Sequence, residues 1–89
     1  MAMVMYHCKS TSQGKNISAK NPKEAALVFL DEVLMGMYKV KLKKVNARKY
    51  KEAPDLTVVV TDSSSGKEFY FQYASMTHWY SLEYISKIT

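Results

Sequence analysis

Eighty-nine residues, 47% apolar and 24% charged, suit one small globular domain spanning residues 1–89 and exclude a disordered or low-complexity chain. The single cysteine, Cys8, excludes an intramolecular disulfide, and no apolar run approaches the roughly 18 residues needed to cross a bilayer, so membrane insertion is not expected. The formal charge of +5 is unevenly placed: residues 39–51 hold seven Lys or Arg and no acid, whereas the other 76 residues carry six basic and eight acidic side chains.

Met3-Val4-Met5-Tyr6-His7-Cys8 is apolar and short, which predicts a strand, and the polar run from Lys9 to Asn21 predicts a loop. Asn21-Pro22-Lys23-Glu24 then has the chemistry of a helix start. The Asn21 side chain can accept the free amide of Glu24, and proline suits the first helical position because its missing N–H has no partner to lose there. Ala25, Ala26, Phe29, Leu30, Val33 and Leu34 recur at helical spacing, so an amphipathic helix from Pro22 to about Leu34 is expected, closing at Gly36.

Beyond it, Tyr38, Val40 and Leu42 alternate with Lys39, Lys41 and Lys43, the period of a strand with one wet face. The doubled Lys43-Lys44 shifts that phase, which predicts a bulge or strand end there, followed by a twisted continuation or loop to Pro54. Leu56–Thr61 and Glu68–Tyr73 are β-rich runs around Asp62-Ser63-Ser64-Ser65-Gly66-Lys67, which predicts a hairpin with Gly66 supplying a left-handed residue. In that second strand Phe69, Phe71 and Tyr73 share one side, expected beneath the helix, and Tyr70 shares the other with Gln72. The tail, Thr77 to Thr89, fits a strand through Tyr80, Leu82 and Tyr84 and a helix through Trp79, Leu82 and Ile85. The expected fold is α+β: a small antiparallel sheet in the order β-α-β-β-β, a C-terminal strand or helix, and one amphipathic helix packed on one face.

Three sets of residues invite a chemical reading. Met1, Met3, Met5 and His7 fall on alternate positions with Cys8 beside them, a soft set of the kind that suits Cu(I). The plainer assignment places Met3 and Met5 under the helix as adaptable core side chains, and no metal or other cofactor is expected. Cys8 with His7 or His78 has the elements of a thiol nucleophile and base, but a lone cysteine in an apolar strand is ordinarily buried and inert. Gly14-Lys15 and Gly66-Lys67 lack the first glycine of a phosphate loop and read as turns, and the acids are scattered with no acid–base pair. The expected protein is therefore not an enzyme, and with no leader-like start it is expected in the reducing cytoplasm.

The third set is the basic segment. Lys39, Lys41, Lys43, Lys44, Arg48, Lys49, Tyr50 and Lys51 form the candidate binding surface: cations for an anionic partner, and rings at Tyr50, Tyr70 or Trp79 for stacking. Two functions compete for it. One is a binding module for nucleic acid; the other is a small stoichiometric regulator or inhibitor, of the kind mobile elements and phages encode, docking on an acidic protein surface. The ordinary alternative is a solvated sheet edge whose lysines discourage aggregation, and a sheet edge is also a route to a homodimer.

Overall fold

The computed structural model describes residues 3–78. Five strands, β1 (Val4–Lys9), β2 (Gly14–Ala19), β3 (Tyr38–Val45), β4 (Thr57–Asp62) and β5 (Glu68–His78), form one antiparallel sheet in the spatial order β2-β1-β4-β5-β3. Helix α1 (Pro22–Val33) packs on one face, and the short helix α2 (Ala47–Glu52) lies between β3 and β4 in sequence. The α+β class expected from sequence is the one observed.

Helix α1 begins as its sequence dictates. The Asn21 side-chain Oδ1 accepts from the Glu24 amide at 2.8 Å and Pro22 opens the first turn. Its stripe buries Ala25, Ala26, Phe29 and Leu30 against Tyr6, Cys8, Ile17, Ala19, Leu42, Val58, Val60 and Phe71 of the sheet. Fully burying a side chain such as Phe29 or Leu30 is worth about 1.5–3 kcal/mol, so this face carries the domain's stability. The helix closes through Leu34, whose amide donates to Leu30, and the Gly36 amide reaches back to Asp31 at 2.8 Å. This closure uses two successive left-handed residues, Met35 (φ 57°) and Gly36 (φ 68°); the glycine adopts that conformation freely, whereas Met35 bears a cost of about 1–2 kcal/mol.

Three expectations are corrected. The run Lys9 to Asn21 is not one loop: β2 pairs with β1 from Val4↔Ala19 to Lys9↔Gly14, and only Ser10 to Gln13 turn between them. Ile17 and Ala19 are buried in β2, and two inward positions sufficed to seat a strand that its Ser, Asn and Lys residues disguised. The stretch before Pro54 is not simply a loop either, since Asn46 caps α2 by accepting the Lys49 amide at 2.9 Å. The doubled lysine does not interrupt β3. The irregularity lies where Lys41 pairs with Ser75 and Leu42 with Tyr73, so Ala74 of β5 is the extra residue, and β3 keeps its alternation to Val45.

The β4–β5 hairpin is as expected, with Gly66 at φ 75° and its amide bonded to Asp62. Strand β5 extends past Tyr73 to His78, so Thr77 and His78 belong to it; the expectation of strand or helix for residues 79–89 lies outside the described residues. Among the described residues, no helix is long and apolar enough to cross a membrane.

Candidate functional site

Strand β3 forms one edge of the described sheet, and its alternation sorts the lysines. Leu42 is buried and Val40 packs against the core on the α1 side, while Lys39, Lys41 and Lys43 project from the opposite side. Residues two apart on a strand are about 6.7 Å apart, so these three form an evenly spaced row. Tyr38 stays exposed rather than entering the core. Lys44 falls on the α1 side, opposite Phe71 in register, at the rim of the core. There its Nζ lies 5.2 Å from the centre of the Phe69 ring, and Lys67 Nζ lies 5.4 Å from the same centre.

Arg48, Lys49, Tyr50 and Lys51 are presented by α2, which is fixed to the outer face of the sheet by polar and aromatic contacts. Tyr50 stacks on Tyr70, ring centres 5.1 Å apart and planes 15° from parallel. The Gln72 amide nitrogen donates to the Lys49 carbonyl at 2.9 Å and to Thr57 Oγ1 at 3.1 Å, and the Thr57 hydroxyl donates to the Ala53 carbonyl at 2.7 Å. Glu52, the first residue past the acid-free segment, lies 3.9 Å from Arg48 and 4.0 Å from Lys49. Folding therefore returns one acid to a surface that is +7 in sequence, although exposed pairs of this kind contribute at most about 1 kcal/mol. Among the described residues, no ion pair involves Lys41, Lys43, Lys44 or Lys51.

The structure brings Lys43, Lys44 and Lys49 together around a groove of about 720 Å³ at the end of the β3–β5 ladder, with Val45, Glu68, Phe69, Tyr70 and Gln72 also lining it. Lys39, Lys41, Arg48, Tyr50 and Lys51 lie outside this groove. Lys44 and Phe69 also border a second hollow of about 420 Å³ with Asn21, Pro22 and Lys23 at the start of α1. Two contributors were not singled out as site residues from sequence. Phe69, expected beneath the helix with Phe71, is only partly buried, and Lys67, read as part of a turn, joins it. Their separation of two residues was the available signal, because it places both on one side of β5.

The aromatic expectations change in detail. Tyr70 does lie on the outer face with Gln72, but Tyr50 covers one side of its ring; Trp79 lies outside the described residues. The Tyr70 hydroxyl donates to Glu68 Oε1 at 3.0 Å, and this bond, ahead of burial and the nearby Glu68 charge, raises the Tyr70 hydroxyl above its usual range.

The remaining candidates separate in space. Met3 and Met5 are 53% and 47% exposed, so the expectation that they fill the core is overturned: Val4, Tyr6 and Cys8 take the inward positions of β1 and leave the odd residues outside. Cys8 thus points away from His7 and the methionines. It is fully buried, which pushes its thiol up to about 11, and a protonated thiol without solvent access is a poor nucleophile. His7 Nδ1 donates to Asn16 Oδ1 at 3.0 Å. Among the described residues, no three His, Cys, Asp or Glu side chains converge on a metal-sized site.

Compared with protein families, curated proteins and solved structures, the chain matches none at a significant level.

Proposed function

We propose that the chain is a small non-enzymatic module that binds nucleic acid through the basic surface formed by β3 and α2. The observation that carries this reading is the convergence of Lys44, from β3, and Lys67, from the β4–β5 turn, on the partly buried ring of Phe69, at the sheet edge whose other face carries the row Lys39, Lys41 and Lys43. Lysines that merely guard a sheet edge need not gather from two elements around one ring. Cations on both faces of one sheet edge, with an aromatic side chain at its end, match what a sugar–phosphate chain that wraps the edge offers: regularly spaced charge with flat bases attached.

A second reading, docking on an acidic surface of a partner protein, is favoured by one specific feature. Met35 and Met37, at 81% and 45% exposure, stand just before the lysine row, and an apolar patch beside charge suits a protein interface.

Salt separates the two readings. Binding that neutralises phosphates releases counterions, so single-strand affinity is expected to fall with log salt at a slope of about 0.7 per phosphate contact. The double variant Lys41→Glu/Lys43→Glu is expected to flatten that slope and weaken binding while leaving the melting temperature unchanged, because both side chains are exposed. Absence of measurable affinity for DNA or RNA at low salt would reject the nucleic-acid reading. Loss of a co-purifying protein in the same double variant would then favour the regulator.

A further inference from the structure

We infer, building on that reading, that the bound nucleic acid is single-stranded and is anchored by one nucleotide seated in the groove at the end of the β3–β5 ladder. Its volume of about 720 Å³ lies within the roughly 300–1,000 Å³ of small-molecule sites, and its lining divides by chemistry. Lys43, Lys44 and Lys49 are phosphate ligands in type, and Phe69, on the α1 side of β5, offers the aromatic surface that a base takes, with Val45 and Tyr70 completing the wall around the strand end. A duplex keeps its base faces stacked inside, so it could use the lysines but would leave the aromatic part unfilled. An unpaired base uses both.

Two further observations point the same way. Reading a duplex directly calls for an element that enters a groove, ordinarily a helix or a two-stranded ribbon. Helix α2 has six residues and is held to the sheet through Tyr50 and the Lys49 carbonyl, and the β3–β5 ribbon is packed on the domain through Val40. Second, Tyr70 is already oriented: Tyr50 stacks on it and Glu68 holds its hydroxyl. Ordering the ring at the moment of binding therefore costs little. The same Glu68 carboxylate supplies an acceptor for a base N–H. Lys44 and Phe69 also border the neighbouring hollow near Lys23, which gives the next phosphate a cationic path around the sheet end.

The test compares one fluorescently labelled oligonucleotide, as a single strand and annealed to its complement, by anisotropy at the same low salt. The single strand is expected to bind more tightly. Phe69→Leu, which keeps apolar bulk but removes the π-face, is expected to weaken it about fivefold or more, the low end of ring–base stacking. The salt slope should not change, because no cation is lost, and duplex affinity should stay where it was. Equal or tighter duplex binding, or a folded Phe69→Leu protein with unaltered single-strand affinity, overturns the single-strand inference and leaves nucleic-acid binding standing. Failure of both forms to bind removes the underlying reading as well. Should Phe69→Leu not fold, photocrosslinking of the wild-type protein to a 5-bromouracil single strand decides: adducts within residues 68–72 support the seated base, and adducts confined elsewhere reject it.

Discussion

The two helices start alike and end differently. Asn21 and Asn46 each accept the amide three residues on, at 2.8 and 2.9 Å, so the same side-chain chemistry nucleates both. Helix α1 then buries four residues, including Phe29 and Leu30, whereas α2 buries none and is fastened by the Tyr50–Tyr70 stack and the Gln72 amide. A cap starts a helix, but the apolar stripe decides whether that helix carries the fold or decorates it. Helix α1 spends its side chains on the core. Helix α2 is held by one ring and its own backbone, which leaves Arg48, Lys49 and Lys51 directed to the surface.

The sharpest way to break this contrast is to remove an apolar anchor from α1. Leu30→Ala is expected to cost about 2–5 kcal/mol, lost transfer energy plus the cavity left behind, measured by guanidinium denaturation. A loss within experimental error would mean that α1 is as peripheral as α2. The corresponding change on the other helix, Tyr50→Ala, removes an aromatic pair worth about 0.5–1.5 kcal/mol beyond the area it covers. Its effect is expected to be smaller and local, with amide exchange quickening through residues 47–52 while α1 stays protected. An equal loss of protection in both helices would show that α2 belongs to the cooperative core.

The contrast also explains how much could be read from the chain. The stripe Ala25, Ala26, Phe29 and Leu30 and the alternation Val40 and Leu42 yield both an element and its buried side directly, and the run of valines in β4, buried on both faces, yields its strand. Strand β2 was hidden because its inward residues are only Ile17 and Ala19; pairing with β1, a tertiary fact, makes it a strand. Helix α2 carries the same asparagine signal as α1 but no apolar stripe, so its sequence shows a start without the periodicity that marks a helix. The lysine row itself was legible, since strand parity places Lys39, Lys41 and Lys43 together. Its completion was not: Glu52 enters through a helical turn, and Lys44 reaches the Phe69 ring beside Lys67 only because β3 pairs with β5.

The caps offer the finest discrimination, because they make one chemical change at two sites. Replacing a capping asparagine by alanine costs about 0.5–2 kcal/mol when the helix it starts is part of the folding unit. Asn21→Ala is expected to lower global stability by about 1 kcal/mol, since fraying the first turn of α1 loosens the entry of Ala25 and Ala26 into the core. Asn46→Ala removes the same bond, yet α2 has no buried side chain through which to transmit the loss. Its expected cost to global unfolding is below about 0.5 kcal/mol, with the change confined to faster amide exchange near Lys49. Denaturation midpoints of the two variants, measured side by side, check this. Equal shifts would mean that the polar clamp of Gln72 and Thr57 couples α2 to the sheet as firmly as apolar packing couples α1, and the basic corner would then be a rigid part of the core rather than a surface fastened to it.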